Sequence, residues 1–177
     1  MVQKFQWVIT RRKNKAMPEL EHYKFNNGGS PYATRGDCVI RAITIATEQN
    51  YLDVLYDLKD RQKKWWENSN TKHAKDKKPN SYKAYKGVYR EVYQPYLEEL
   101  GWKWKPTMGI GTGCKVHLKA SELPKGRIIC KLTKHLVAVV DGVIQDIYDP
   151  SRDETRCVYG YFYIEKNNAN LKGGKTL

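Results

Sequence analysis

The stretch 135-HLVAVVDGVIQDIYD-149 carries the clearest local signal in the chain. Asp141-Gly142 between two β-branched runs is the preferred pair for a two-residue type I′ hairpin turn. With these two residues as the loop, Val140 faces Val143, Val137 faces Asp146 and His135 faces Tyr148. Residues directly opposite share a face, and side chains alternate along each strand. His135, Val137, Asp146 and Tyr148 therefore point the same way, and Asp146 is a diagonal neighbour of His135, within about 7–8 Å. An imidazole beside a carboxylate is the orienting half of a Cys-His-Asp triad: the carboxylate fixes the tautomer and the other ring nitrogen can draw the proton from a thiol. Asp149 falls on the opposite face in this register and ranks second. A one-residue bulge would exchange the two.

The thiol is sought upstream, in 30-SPYATRGDCVIRAITIATEQ-49. After a loop over 26–36 rich in Asn, Gly, Ser and Pro, the residues Cys38, Val39, Ala42, Ile43 and Ala46 follow the i, i+3, i+4, i+7 spacing of a buried helix. Thr34 or Asp37 can cap it, because a short oxygen-bearing side chain satisfies the free N–H groups of the first turn. A thiol in that turn feels the positive end of the helix dipole, which favours thiolate. Cys38 is thus the expected nucleophile, His135 its base and Asp146 the orienting acid.

Working outward, residues 1–10 read as a strand, a second helix starts near Asn50, and 64–80 reads as a mobile, lysine-rich surface loop. A third helix is expected to carry the stripe Tyr85, Val88, Tyr89, Val92, Tyr96, Leu97 and Leu100, with a kink or restart at Pro95 and a stop at Gly101. Strands are expected over 102–104, 127–132, 135–140, 143–148 and 157–164, with a flexible tail over 166–177. Helices first and antiparallel strands second imply a single α+β domain spanning 1–177.

The net charge is +13, and residues 59–90 hold eleven Lys or Arg against three acidic residues. That excess favours an anionic partner, nucleic acid or an acidic protein surface. Lys63, Lys64, Trp65 and Trp66, followed by Lys75, Lys77 and Lys78, combine rings and charge as single-strand binders do. No apolar run is long enough to span a bilayer, so no membrane association is expected. The N-terminus lacks a signal-peptide core, so a cytoplasmic protein is expected. The four cysteines are scattered, which suits a reducing compartment, and Cys114 and Cys157 read as structural or free thiols.

The order and context of "GDCVIRA", "KHLVAVVDG" and "VIQDIYDP" resemble the papain-like cysteine peptidase superfamily. The nearest likeness is to its compact bacterial and phage branches, such as the bacteriocin-processing peptidases of ABC exporters. The resemblance implies a nucleophilic Cys38 at the N-terminus of a central helix, packed on an antiparallel sheet carrying His135 and then Asp146. It implies hydrolysis of an amide, peptide or isopeptide bond in a peptide or protein substrate, with no cofactor. Such enzymes place a Gln, Asn or Tyr shortly before the nucleophile to bind the oxyanion. Tyr32, six residues upstream, is the residue offered here, with the Cys38 N–H as a second donor.

Two rival sets exist. Cys114-x-x-His117 with Cys130 and His135 has the composition of a Cys₂His₂ zinc site, although its short motif is weak, and no metal is expected. "GIGTG" at 109–113 lacks the strand–helix context and the Lys-Ser/Thr of a phosphate loop, so it reads as a turn. The alternative function is a non-catalytic basic protein on the same fold.

Overall fold

Every residue from Cys38 to Ala46 is buried, so helix α1 (Cys38–Thr47) is enclosed on all sides. It is rich in β-branched residues, each of which costs the helix up to about 0.7 kcal/mol in propensity. Burying one isoleucine returns about 1.5–3 kcal/mol, so packing decides the conformation. The computed structural model describes residues 21–32, 35–75 and 84–165. The expected strand over 1–10, the tail over 166–177, Thr34, Lys77 and Lys78 lie outside these residues.

The architecture is α+β. Six strands, β1 (Tyr23–Phe25), β2 (Lys103–Pro106), β3 (Arg127–Leu132), β4 (His135–Val140), β5 (Val143–Asp146) and β6 (Gly160–Tyr163), form one sheet in the order β1-β5-β4-β3-β6-β2. Neighbours are antiparallel except β1, which runs parallel to β5 with Phe25 opposite Asp146. The sheet is therefore mixed, which corrects the wholly antiparallel reading. The three-residue β1 is half exposed and has no apolar pattern by which a sequence would reveal it.

The hairpin has the expected register, with Val140 opposite Val143, Val139 opposite Ile144 and Ala138 opposite Gln145. Asp141 and Gly142 both take positive φ (51° and 90°), as a type I′ turn requires. Both sheet faces are covered. Helices α1, α2 (Tyr51–Asn68) and α4 (Arg90–Glu99) bury Ile129, Leu136, Ala138 and Phe162 on one side. On the other, Leu118, Leu123 and Val158 cover Ile128, Cys130, Val137, Val139 and Ile144. Burial on both faces explains why "RIICKL" and "HLVAVV" read as continuous apolar runs rather than alternating ones.

The helices depart from expectation in two places. Helix α2, capped by Asn50 accepting from the Leu52 N–H at 2.8 Å, runs to Asn68, and a short α3 (Lys72–Lys75) follows. Much of the expected 64–80 loop is therefore helical. Its extension is held by Trp65, which is half-buried against the core and packs on Tyr89 with ring centroids 5.3 Å apart. The expected helix from Tyr85 instead begins at Arg90, after a 3₁₀ turn over Ala84–Lys86. Gly87, with φ 133°, takes a conformation closed to other residues and breaks the periodicity there. Helix α4 then runs through Pro95 without restarting.

Cys114 and Cys157 form a disulfide with Cα atoms 5.7 Å apart, which corrects their reading as thiols of a reducing compartment. The segment that covers the second sheet face pairs His117 with Cys157, and this brings Cys114 alongside. Among the described residues no helix is long and apolar enough to cross a membrane. A crosslink closing 43 residues restricts the unfolded chain by about 4 kcal/mol in the chain-entropy account. We expect reduction to lower the unfolding free energy by about 2–4 kcal/mol. Alkylation of the denatured, unreduced protein should label Cys38 and Cys130 alone; labelling of all four cysteines would contradict this pairing.

Candidate active site

Cys38 is the first residue of α1, His135 the first of β4 and Asp146 the last of β5. Placement at the ends of three elements brings them together at one end of the sheet. His135 Nε2 lies 2.6 Å from Asp146 Oδ2, with both side chains buried. The Cys38 thiol borders the same cleft as the imidazole and acts on its charge, and with Nε2 committed to Asp146 the ring nitrogen left to face it is Nδ1. The Tyr148 ring packs 5.6 Å from the imidazole, as the hairpin register implies. Asp149 instead meets His22 Nε2 at 2.9 Å. Of the two acids, the structure therefore brings Asp146 to the histidine.

Both carboxylate oxygens of Asp146 are engaged. Its Oδ1 takes hydrogen bonds from Arg41 Nη2 at 2.8 Å and from the Ile147 N–H at 2.7 Å. The other arm of Arg41, Nη1, donates to Asp37, four residues earlier on the same chain. Asp37 is fully buried and also accepts from Ser30 Oγ at 2.5 Å and the Tyr51 hydroxyl at 2.9 Å. This corrects its reading as a helix cap. Asp37 occupies the N-cap position, but its carboxylate makes no capping hydrogen bond, because Arg41 draws it inward. With His135 protonated, two buried carboxylates face two buried cations, the balance that ionised groups need in a low dielectric.

Electrostatics favours that protonated state. Burial, the largest single influence on His135, works against its charge. The Asp146 carboxylate, through its hydrogen bond and charge, and the nearby Cys38 sulfur outweigh it, and the imidazole is pushed up to about 9. The other free thiol, Cys130, is buried inside β3, where desolvation raises its pKa and holds it neutral.

A cleft of about 430 Å³ opens beside Cys38 and His135. One wall is the Lys86–Arg90 segment, held by Gln62, which is buried beneath it. The Gln62 amide donates to the Gly87 carbonyl and accepts from the Tyr89 N–H, each at 3.2 Å. Tyr93 lines the same cleft. Its hydroxyl is buried with no hydrogen-bond partner among the described residues, and burial above all pushes it up to about 12.

Tyr32 is exposed on the preceding loop, with its N–H bonded to Ser30 Oγ at 3.2 Å, and it does not line the cleft. Lys63 and Lys64 are exposed on α2, with Lys63 paired to Glu67, and Lys75 belongs to α3. Trp66 stands edge-on to Trp65, and neither borders the cleft. The zinc set is not assembled: Cys114 is in the disulfide, His117 Nδ1 meets Glu122 at 3.1 Å and Cys130 is in the core. Among the described residues no group of three or more His, Cys, Asp or Glu is placed to hold a metal ion. Comparison with family models, with curated proteins and with solved structures gave no match.

Sequence reading missed the role of Arg41 and the cleft wall. The signal for Arg41 was present: an arginine inside an otherwise apolar helix has to be paired. Arg41→Met should cost about 3–5 kcal/mol in denaturant unfolding, because it leaves Asp37 and Asp146 as facing buried charges. Arg41→Lys should recover little of it, since one ammonium cannot span both acids. The His135 ring, followed by NMR, should titrate near 9 and fall when Cys38 is replaced by Ala. A folded value above the unfolded 6.5 stabilises the protein fully below pH 6.5 and loses that contribution as pH rises towards 9. His135→Asn should flatten stability across that window; an unchanged slope would contradict the assignment.

Proposed function

We propose that the protein is a thiol hydrolase of papain-like architecture that cleaves an amide, peptide or isopeptide bond. The observation that carries this reading is the buried His135, bonded to Asp146 through Nε2 and bordering one cleft with the Cys38 thiol, which acts on its charge. A charged imidazole beside the sulfur stabilises thiolate at neutral pH, which is the nucleophile such chemistry needs.

In this mechanism the Cys38 thiolate attacks the substrate carbonyl carbon, and the oxygen takes the negative charge. The Cys38 backbone N–H, at the start of α1, is placed to donate to that oxygen. His135 then gives its Nδ1 proton to the departing amine as the C–N bond breaks, leaving a Cys38 thioester. Neutral His135 takes a proton from water, whose oxygen attacks the thioester and releases the acid. The thiolate and the imidazolium are restored. Asp146 holds the ring orientation throughout, and Arg41 holds Asp146. No step calls for a cofactor.

The test is turnover of a fluorogenic peptide library by the purified protein. Cys38→Ala and His135→Ala should each lower kcat/KM by at least about a thousandfold, and Asp146→Asn by less than either. Turnover that survives Cys38→Ala would overturn the mechanism. The alternative, a non-catalytic basic protein on this fold, rests on the +13 charge and predicts no turnover from any library member.

A further inference from the structure

The cleft beside Cys38 is lined by four cationic side chains, Lys86, Arg90, Lys131 and Lys134, and by no Asp or Glu. Among the described residues none of the four makes an ion pair with a carboxylate, although eight Lys or Arg pairs form elsewhere. Lys131 is the most telling. It projects from β3 between Leu136 of β4 and Gly160 of β6, half-buried, where an unpaired ammonium is costly. Burial first, then the nearby Arg90, lowers its pKa, while Cys38 and the exposed Glu91 act in the opposite direction. Arg90 is held in place: its guanidinium lies 4.7 Å over the Trp104 ring, and its Nε donates to Gln94 at 2.8 Å.

A surface that retains unpaired cations beside a nucleophile gains most when its ligand supplies the missing anions. On the reading that Cys38 is the nucleophile, we propose that the substrate is a peptide with an acidic side chain within about two residues of the scissile amide, the reach of a chain across this cleft. The carboxylate would sit between Lys131 and Lys134, with Lys86 and Arg90 on the facing wall. Nucleic acid fits less well. Tyr93, buried edge-on to Phe162, and Tyr89, packed on Trp65, are already committed, so neither is free to stack a base.

Matched fluorogenic peptides carrying Glu, Gln or Lys beside the cleavable amide test this. The Glu peptide should exceed the Gln peptide in kcat/KM by about tenfold or more, with the Lys peptide lowest, and added salt should narrow the gap. Lys131→Met keeps the buried stem and should lower the Glu-to-Gln ratio; exposed Lys134→Glu, which leaves the core untouched, should lower it further. Equal rates for Glu and Gln peptides would overturn the proposal while leaving the hydrolase reading intact. Binding of the same peptides to Cys38→Ala protein separates the two claims. Preferential capture of the Glu peptide without turnover by the wild type would sustain this inference and sink the hydrolase. A single-stranded oligonucleotide that binds more tightly than the Glu peptide, and loses affinity with Lys131→Met, would overturn the choice of ligand.

Discussion

The guanidinium of Arg41 sits between two carboxylates, Asp37 at the start of the helix it belongs to and Asp146 at the end of a strand more than a hundred residues away. Everything at the site depends on that bridge. It fixes the start of α1 against the end of β5, and so sets Cys38 and His135 beside one cleft. It also leaves Asp146 one free oxygen, which His135 takes. A buried ion pair of this kind is weak support for stability in itself, since two hydrophobic residues could replace it at little cost. Its retention in a helix otherwise made of Cys, Val, Ile, Ala and Thr points to geometry as its purpose: a guanidinium spans two acids in one plane, and an aliphatic side chain cannot.

The site was legible where local chemistry sets the geometry. Asp141-Gly142 specifies its turn so strongly that the pairing of Val140 with Val143 follows, and Asp146 is then carried towards His135. Cys38 was placed by apolar spacing alone. Features that depend on tertiary contacts were not legible. The short strand Tyr23–Phe25 exists because β5 offers an unpaired edge, and nothing in three residues announces that. Asp37 satisfies every local rule for a cap, yet a cation on the next turn outbids the helix N–H groups. The Cys114–Cys157 bond depends on a covering segment whose path no periodicity describes.

The cleft is built from parts that read in sequence as unrelated. The lysine-rich region singled out for anion binding divides in the structure. Lys63 and Lys64 face solvent on α2, whereas Lys86 and Arg90, at the end of the same basic stretch, border the cleft beside Cys38. Lys131 and Lys134 join them from the strands. Gln62 is the hinge of this arrangement, because it ties the wall segment to α2 by both ends of its amide. Charge that looked like a solvated loop is thus partly charge that lines the cleft beside Cys38 and His135.

The proposal that Cys38 is a nucleophile served by His135 is tested most directly by iodoacetamide. Peptide mapping after brief exposure near pH 6.5 should find Cys38 carboxymethylated far faster than Cys130. His135→Ala should slow the labelling of Cys38 markedly. Equal labelling of Cys38 and Cys130 in the folded protein, or a Cys38 rate indifferent to His135, would contradict the account.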